Sequence, residues 1–264
     1  MLPGGEAQEH GPPASLFSGL YESIKDTAVG RWFGFAEFDA AQPHSGMYQF
    51  EGMCFGIIVA LGLSLLAIFA TRGYQRVPGR LRNFLEMCVE ALRGLVRMLM
   101  GPDGDKHLPF LGTLFTYILV MNLLGLIPLF RSPTMALSIT GALGLTTFFM
   151  VQYSGIKANG IVGYVKHLMG PVVFLAPLML PIELLGEMIK PVSLSLRLKG
   201  NIGGEDILIE KLIEMGGWIP IHIPILLFAV FTSFLQAFIF TALASIYIQI
   251  VTSHGEEEHS PEHH

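Results

Sequence analysis

The chain has 264 residues, of which 52% are hydrophobic and only 14% charged, with a formal net charge of −5. An ordinary soluble domain carries about 25% charged residues; here the charges are missing from long uninterrupted runs, as residence in a bilayer requires. No basic patch interleaved with aromatics is present, which excludes a nucleic-acid binder.

Residues 1–50 are polar to mixed, with Pro and Gly early and Trp32, Phe33, Phe35 and Phe38 later. No basic region followed by an apolar core opens the chain, so no signal peptide is expected. Residues 16–38 are expected to form a short helix with its aromatics at the headgroup level. Residues 53–71 are the first charge-free run, and at about 1.5 Å per residue they reach about 28 Å, enough to cross the hydrocarbon core. Gly52 and Gly56 form one GxxxG, a weak sign of helix contact. Arg72, Arg76, Arg80 and Arg82 follow, which places this end in the cytoplasm and the N-terminus outside.

Residues 78–100 are amphipathic: Phe84, Cys88, Ala91, Leu92, Leu95 and Leu99 recur at helical spacing, with Arg93 and Arg97 on other faces. The pattern predicts a helix at the cytoplasmic interface, opened by Pro78 and broken by the GPDGD stretch. Residues 108–130 are the second run, with Asn122 as its one amide, and residues 135–156 are the third, rich in small residues and ending near Gln152. Interhelical hydrogen bonding is the plainer role for both amides. Lys157, Lys166 and His167 then predict a second basic, cytoplasmic loop. Cys54 and Cys88 have neither metal spacing nor a disulfide framework and read as small buried hydrophobes.

The fourth segment starts at residue 168, with Pro177, Pro181 and Pro191 as possible kinks, and Gly200, Gly203 and Gly204 are expected to end it. Glu205, Asp206, Glu210, Lys211 and Glu214 then form an acidic connection on the outer side. Residues 215–253 carry no formal charge and only His222 as an imidazole. Such a run is too long for one upright span, so either WIPIHIPI is a separate interfacial segment or one long tilted helix follows it. The tail, HGEEEHSPEHH, is acidic and His-rich and reads as a solvated tail rather than a metal site.

The stretch around Arg197 holds the unusual chemistry. At about 100° per residue, Glu183, Glu187, Lys190, Leu194, Arg197 and Asn201 fall within about 40° of one direction. Charges inside a membrane cost roughly 2.5–3.5 kcal/mol each on insertion scales and by default mark an ion path. The plainer alternative is that Lys190 and Arg197 reach an interface while the glutamates neutralise them. The whole pattern predicts an all-α integral membrane protein. It would have a polar segment over residues 1–50, a membrane domain over 51–253 and a cytoplasmic tail over 254–264. About five helices cross, an amphipathic helix lies at the cytoplasmic interface, and the last two helices are long and tilted. No Walker, HExxH, GxSxG or dinucleotide motif stands in a sensible context, and no repeat is visible. No chemistry on this chain, no cofactor and no metal are therefore expected.

The stretch KPVSLSLRLKGNIGGED, residues 190–206, resembles the signature of subunit a of the rotary F-type ATP synthases in its bacterial form. MNLLGLIPLFRSPT (121–134), GYVKHLMGP (163–171) and LQAFIFTALASIYI (235–248) support the likeness more weakly. The resemblance implies a stator subunit of the bacterial plasma membrane, a non-catalytic part of an enzyme complex. Its partners would be the rotor ring of c subunits, the b subunits of the peripheral stalk, through them the catalytic head, and membrane lipid.

In the family the arginine faces the ion-carrying carboxylates of the ring, so Arg197 is the implied essential group. A guanidinium keeps its charge, attracts each arriving carboxylate and bars direct proton flow. Two offset half-channels then make passage require nearly a full turn of the ring. Asn201 matches the family Asn, Asp206 with Glu205 beside it matches a titratable position nine residues after the arginine, Glu183 matches a family glutamate, and Gln236 matches a polar residue of the last helix and is a candidate partner for Arg197. Where many members carry His or Glu seven residues before that Gln, this chain has Ala229. His222, seven residues further back, is the suggested replacement, with an interfacial hydrogen-bonded His as the bland alternative. Some bacterial members have acids in the second span where this chain has Gly125 and Phe130. A stand-alone membrane channel or carrier, or an anchoring protein, are the competing readings.

Overall fold

Inside an apolar run the backbone has no water to bond, so its N–H and C=O groups must be satisfied within the segment, and the helix does this locally. The computed structural model describes residues 17–24, 27, 45–71, 80–127, 133–169, 176–215 and 222–257, and these contain no strand. In chain order they form α1 (Ser18–Ile24), α2 (Ser45–Thr71), α3 (Arg80–Met100), a 3-10 turn (Pro102–Lys106), α4 (Leu108–Leu124), a second turn (Pro133–Met135), α5 (Leu137–Met169), α6 (Ala176–Met215) and α7 (His222–Glu257). The expected 16–38 helix is described only over α1. Residues 72–79 with Pro78, the 218–221 part of WIPIHIPI and the tail after Glu257 lie outside the described residues.

α2 starts at Ser45, well before the charge-free run, and takes in Glu51, which is 1% exposed. A Cβ on Gly52 would lie 3.1 Å from Ala136 Cβ and 3.3 Å from the Pro133 carbonyl, and Tyr117 donates its hydroxyl to the Gly56 carbonyl at 3.1 Å. The GxxxG pair is thus a contact surface, because absent side chains let neighbouring backbone approach. Phe17, just before α1, and Tyr21 of α1 pack on Phe55 and Phe50.

α3 has three sides. Leu92, Val96, Leu99 and Met100 pack inward, the charged residues occupy a second face, and Phe84, Met87 and Met98 stay exposed. That is the pattern of a helix lying in an interface between protein, water and hydrocarbon. Gly101, at φ 70°, breaks it. Asp105 in the following turn then accepts paired hydrogen bonds from Arg93 and Arg97, at 2.6–3.1 Å. Those two guanidinium groups hold its carboxyl well below the usual carboxylate range.

Several expected boundaries move. α4 stops at Leu124 rather than near residue 130, ahead of Gly125 and Pro128, because a proline has no N–H with which to bond the Leu124 carbonyl and continue the helix. α5 does not stop at residue 156 for a basic loop. Lys157, Lys166 and His167 are helical, on either side of a break at Gly160 with φ 69° and ψ 167°. The chain reverses there: Tyr164 donates its hydroxyl to Gln152 Oε1, whereas twelve straight helical residues would separate them by about 18 Å.

The glycines at 200, 203 and 204 do not end α6, which continues to Met215 and carries the acidic 205–214 stretch on helix rather than on a loop. Each glycine costs a helix only about 1 kcal/mol, too little to stop a long packed one. α6 also runs through Pro181 and Pro191. Its 40 residues span about 60 Å, and the 36 of α7, which begins at His222, about 54 Å.

The core lies between α4, α5, α6 and α7, around Leu111, Ile118, Leu198, Phe240 and Ile248. Gly144 lets α5 meet α6, since a Cβ there would lie 2.7 Å from the Pro191 carbonyl. The outside is apolar: Leu61, Phe149 and Leu227 are 59, 62 and 72% exposed. Stretches of α2 (Gln49–Phe69) and α7 (Leu226–Thr252) are long and apolar enough to cross a membrane, and α4 is a shorter apolar helix. Exposed apolar surface on this scale needs lipid or partner protein to cover it.

Candidate functional site

The polar stripe predicted along α6 is real but divides into two. Its first half turns inward. Glu187 is 5% exposed, pairs with Lys190 Nζ, and accepts a 3.2 Å hydrogen bond from Gln152 Nε2. Lys190 also lies 5.1 Å from the Tyr247 ring. With Tyr164 bonded to Gln152, five side chains from α5, α6 and α7 form one partly buried network around Glu187. A buried ion pair endures where further hydrogen bonds satisfy its remaining groups.

The second half turns outward. Arg197 is exposed on α6 beside Leu196, and among the described residues it makes no hydrogen bond or ion pair. One turn on, Asn201 donates from Nδ2 to Gln236 Oε1 at 2.8 Å. Gln236 therefore pairs with Asn201 and not with Arg197. Gln236 Nε2 is buried without a partner, so an amide donor and a guanidinium stand near one another, neither satisfied by the described residues.

From Gln236 a line of polar groups leads into the bundle. Ser233, three residues back on α7, is buried, and its carbonyl accepts from Asn122 Nδ2 at 3.4 Å. Asn122 Oδ1 in turn accepts from Thr134 Oγ1 at 3.0 Å. Thr134 follows Pro133, whose carbonyl faces Gly52, the neighbour of buried Glu51. These groups come from α2, the Pro133–Met135 turn, α4, α7 and α6, and sequence spacing on any one of them is silent about the rest. Glu51 in particular escapes a reading that starts the span at residue 53, although an acid two residues before an apolar run is a usable signal.

Ala229, where many members of the family hold a titratable residue, is 2% exposed and one turn from Ser233. It faces the same interior, with a methyl group where a proton carrier is absent. Glu183, Glu205 and Asp206 lie on α6 and His222 opens α7, but their side chains are outside the described residues. Along the helix Glu183 is about 21 Å from Arg197 on one side and Asp206 about 13 Å on the other. Among the described residues no cluster of three or more His, Cys, Asp or Glu could hold a metal.

Long apolar helices around a buried polar line, with an exposed guanidinium at its end, are the architecture of an all-α membrane protein. The profile of the ATP synthase A chain family matches residues 53–249. Similar proteins include ATP synthase subunit a of Protochlamydia amoebophila, 38% identical over 227 residues that cover 80% of this chain and 83% of the relative. ATP synthase subunit a 3 of Pelobacter propionicus is 40% identical, covering 73% and 83% of the two chains. Subunit a 2 of Syntrophotalea carbinolica is 41% identical, covering 72% and 79%. The chain belongs to this family, the bacterial subunit a of F-type ATP synthase, and has its role as the ion-translocating stator subunit.

Proposed function

We propose that Arg197 is the electrostatic separator between two half-channels and that it works against carboxylates of a rotating ring of c subunits. The observation that carries this is an exposed guanidinium on a long, largely apolar helix, with no hydrogen bond or ion pair among the described residues. A charge left so in hydrocarbon costs roughly 2.5–3.5 kcal/mol, and a carboxylate of a neighbouring chain would offset that cost. A ring carboxylate meeting Arg197 stays ionised there, and the guanidinium gives no proton passage past itself. Each charge that crosses releases about 2.3 kcal/mol per 100 mV to turn the ring.

The inlet follows the buried polar line of Thr134, Asn122, Ser233, Gln236 and Asn201, with Glu51 beside its start and Glu205 and Asp206 at the outer end of α6. Water bonded to the free Gln236 amide hands the proton to the ring close to Arg197. His222 opens α7 at the same end and takes the relay role that Ala229 lacks. Glu183 belongs to the opposite, cytoplasmic side. In this arrangement α2, α4, α5, α6 and α7 make five crossings, with the N-terminus outside the plasma membrane and the C-terminus in the cytoplasm. The exposed faces of α6 and α7 meet the ring, and the b subunits of the peripheral stalk hold the chain against the catalytic head.

The test is ATP-driven proton pumping and ATP synthesis in vesicles holding the whole complex with Arg197→Gln or Arg197→Lys. The expected result is normal copurification of the other subunits with both activities abolished. Pumping at near-normal rates would sink the reading. Transport by the purified chain alone would favour a stand-alone channel instead.

A further inference from the structure

A second polar cavity lies apart from this route, where the turn after α3 and the start of α4 meet α5 and α7. It has a volume of about 670 Å³, and Lys106, His107, Tyr153, Ser154, Lys157 and Gln249 are among its lining residues. Asp103 at its rim pairs with Lys106 at 2.6 Å. Lys157 has no carboxylate partner among the described residues and stands 5.7 Å from the Tyr153 ring. The described charges thus leave one ammonium uncompensated. Ser154 is 4% exposed, and its Oγ is buried with no partner among the described residues, as is His107 Nδ1. An uncompensated ammonium beside an unused hydroxyl suits an anion with several acceptor oxygens.

The surface that leads to the cavity tells which anion. Leu145, Phe149, Tyr153 and Ile156 are 51, 62, 58 and 40% exposed and line one face of α5, ending beside Lys157. Eleven helical residues rise about 16 Å, and one leaflet of a hydrocarbon core about 30 Å thick is about 15 Å deep. A leaflet-deep apolar strip that ends in a cationic cleft has the shape of a phospholipid.

We infer that this cleft binds the phosphate of an anionic phospholipid, whose acyl chains lie along residues 145–156 of α5. The inference rests on α5 crossing the membrane. Lys157 supplies the charge, Ser154 and Gln249 line the headgroup site, and Tyr153 divides headgroup from chains. The lipid fills the angle between α5 and the Asp105-clamped end of α3.

The experiment uses the intact, detergent-purified ATP synthase complex and a photoreactive phosphatidylglycerol, with label mapped to the α5 peptide containing Tyr153. A cationic group near the surface is worth about fivefold in binding, so Lys157→Gln should lower labelling of this peptide about fivefold and Lys157→Arg should restore it. A phosphatidylethanolamine probe should label it weakly, and millimolar inorganic phosphate should not displace the lipid. Unchanged labelling in Lys157→Gln, equal labelling by the zwitterionic probe, or displacement by inorganic phosphate would each overturn the proposal, the last in favour of a free-anion site. A complex carrying Arg197→Gln should label like the wild type, so failure here is separable from failure of the ion-path reading.

Discussion

Gln236 uses its carbonyl oxygen on Asn201 and leaves its Nε2 buried without a partner among the described residues. An amide kept half-satisfied at a cost of about 1–3 kcal/mol is poor material for a purely structural bond and suitable for a position that water must visit. Gln236→Leu and Asn201→Leu should each slow ATP-driven pumping. Because the two side chains share one hydrogen bond, the double variant should lose less than the sum of the singles, read as a double-mutant cycle on pumping rate. Independent additive losses would mean that the pair does not act together. Asn122 differs: both ends of its amide are engaged, with Thr134 and the Ser233 carbonyl. The sequence marked Asn122, Asn201 and Gln236 singly. Which amide meets which depends on three helices coming together, and periodicity along one helix carries no such information.

Two glycines in α5 set how the helices meet. A Cβ on Gly144 would press on the Pro191 carbonyl and Ser195 Oγ. Gly144→Ala should therefore destabilise the α5–α6 contact by about 1–3 kcal/mol. Gly160 sits in a region of φ and ψ open essentially to glycine, so Gly160→Ala should cost a similar amount, about 1–3 kcal/mol, by straining the reversal that brings Tyr164 to Gln152. Thermal stability of the detergent-solubilised complex measures both, and neutral behaviour at either position would refute the corresponding packing. The clamp of Asp105 on Arg93 and Arg97 gives a pH test. Its folded pKa lies below the unfolded value, so its contribution is complete above the ordinary carboxylate pKa of about 4 and is lost as pH falls through the folded value. The difference in melting temperature between wild type and Asp105→Asn should be constant from about pH 5 to pH 9 and shrink only in stronger acid. Because these groups are exposed, added salt should reduce it. The element types were legible from apolar runs and amphipathic spacing. The ends of α4, α5 and α6 were not: the three glycines that read as a stop are carried inside α6, because each costs a helix only about 1 kcal/mol.

At the scale of the molecule, α6 and α7 present Val192, Leu196, Phe228 and Phe231 outward on either side of the Arg197 region. In the assembled complex a partner should cover them. Leu196→Cys and Phe231→Cys should react with a membrane-permeant maleimide at least about tenfold more slowly in the whole complex than in membranes lacking the ring, and equal rates would place the ring on another face. The sequence by itself determined the helical, membrane-resident class, the amphipathic helix, the family and the candidate arginine, because hydropathy, charge placement and a local motif are properties of neighbours along the chain. Only the tertiary structure decided that the polar stripe of α6 splits, with Glu187 and Lys190 closed inward and Arg197 left outside. It also decided that Asn122, Thr134, Ser233 and Gln236 join one line, and that Glu51 is buried near its start. Burial and hydrogen-bond partnership depend on what lies across a contact, and those residues are scores of positions away in sequence.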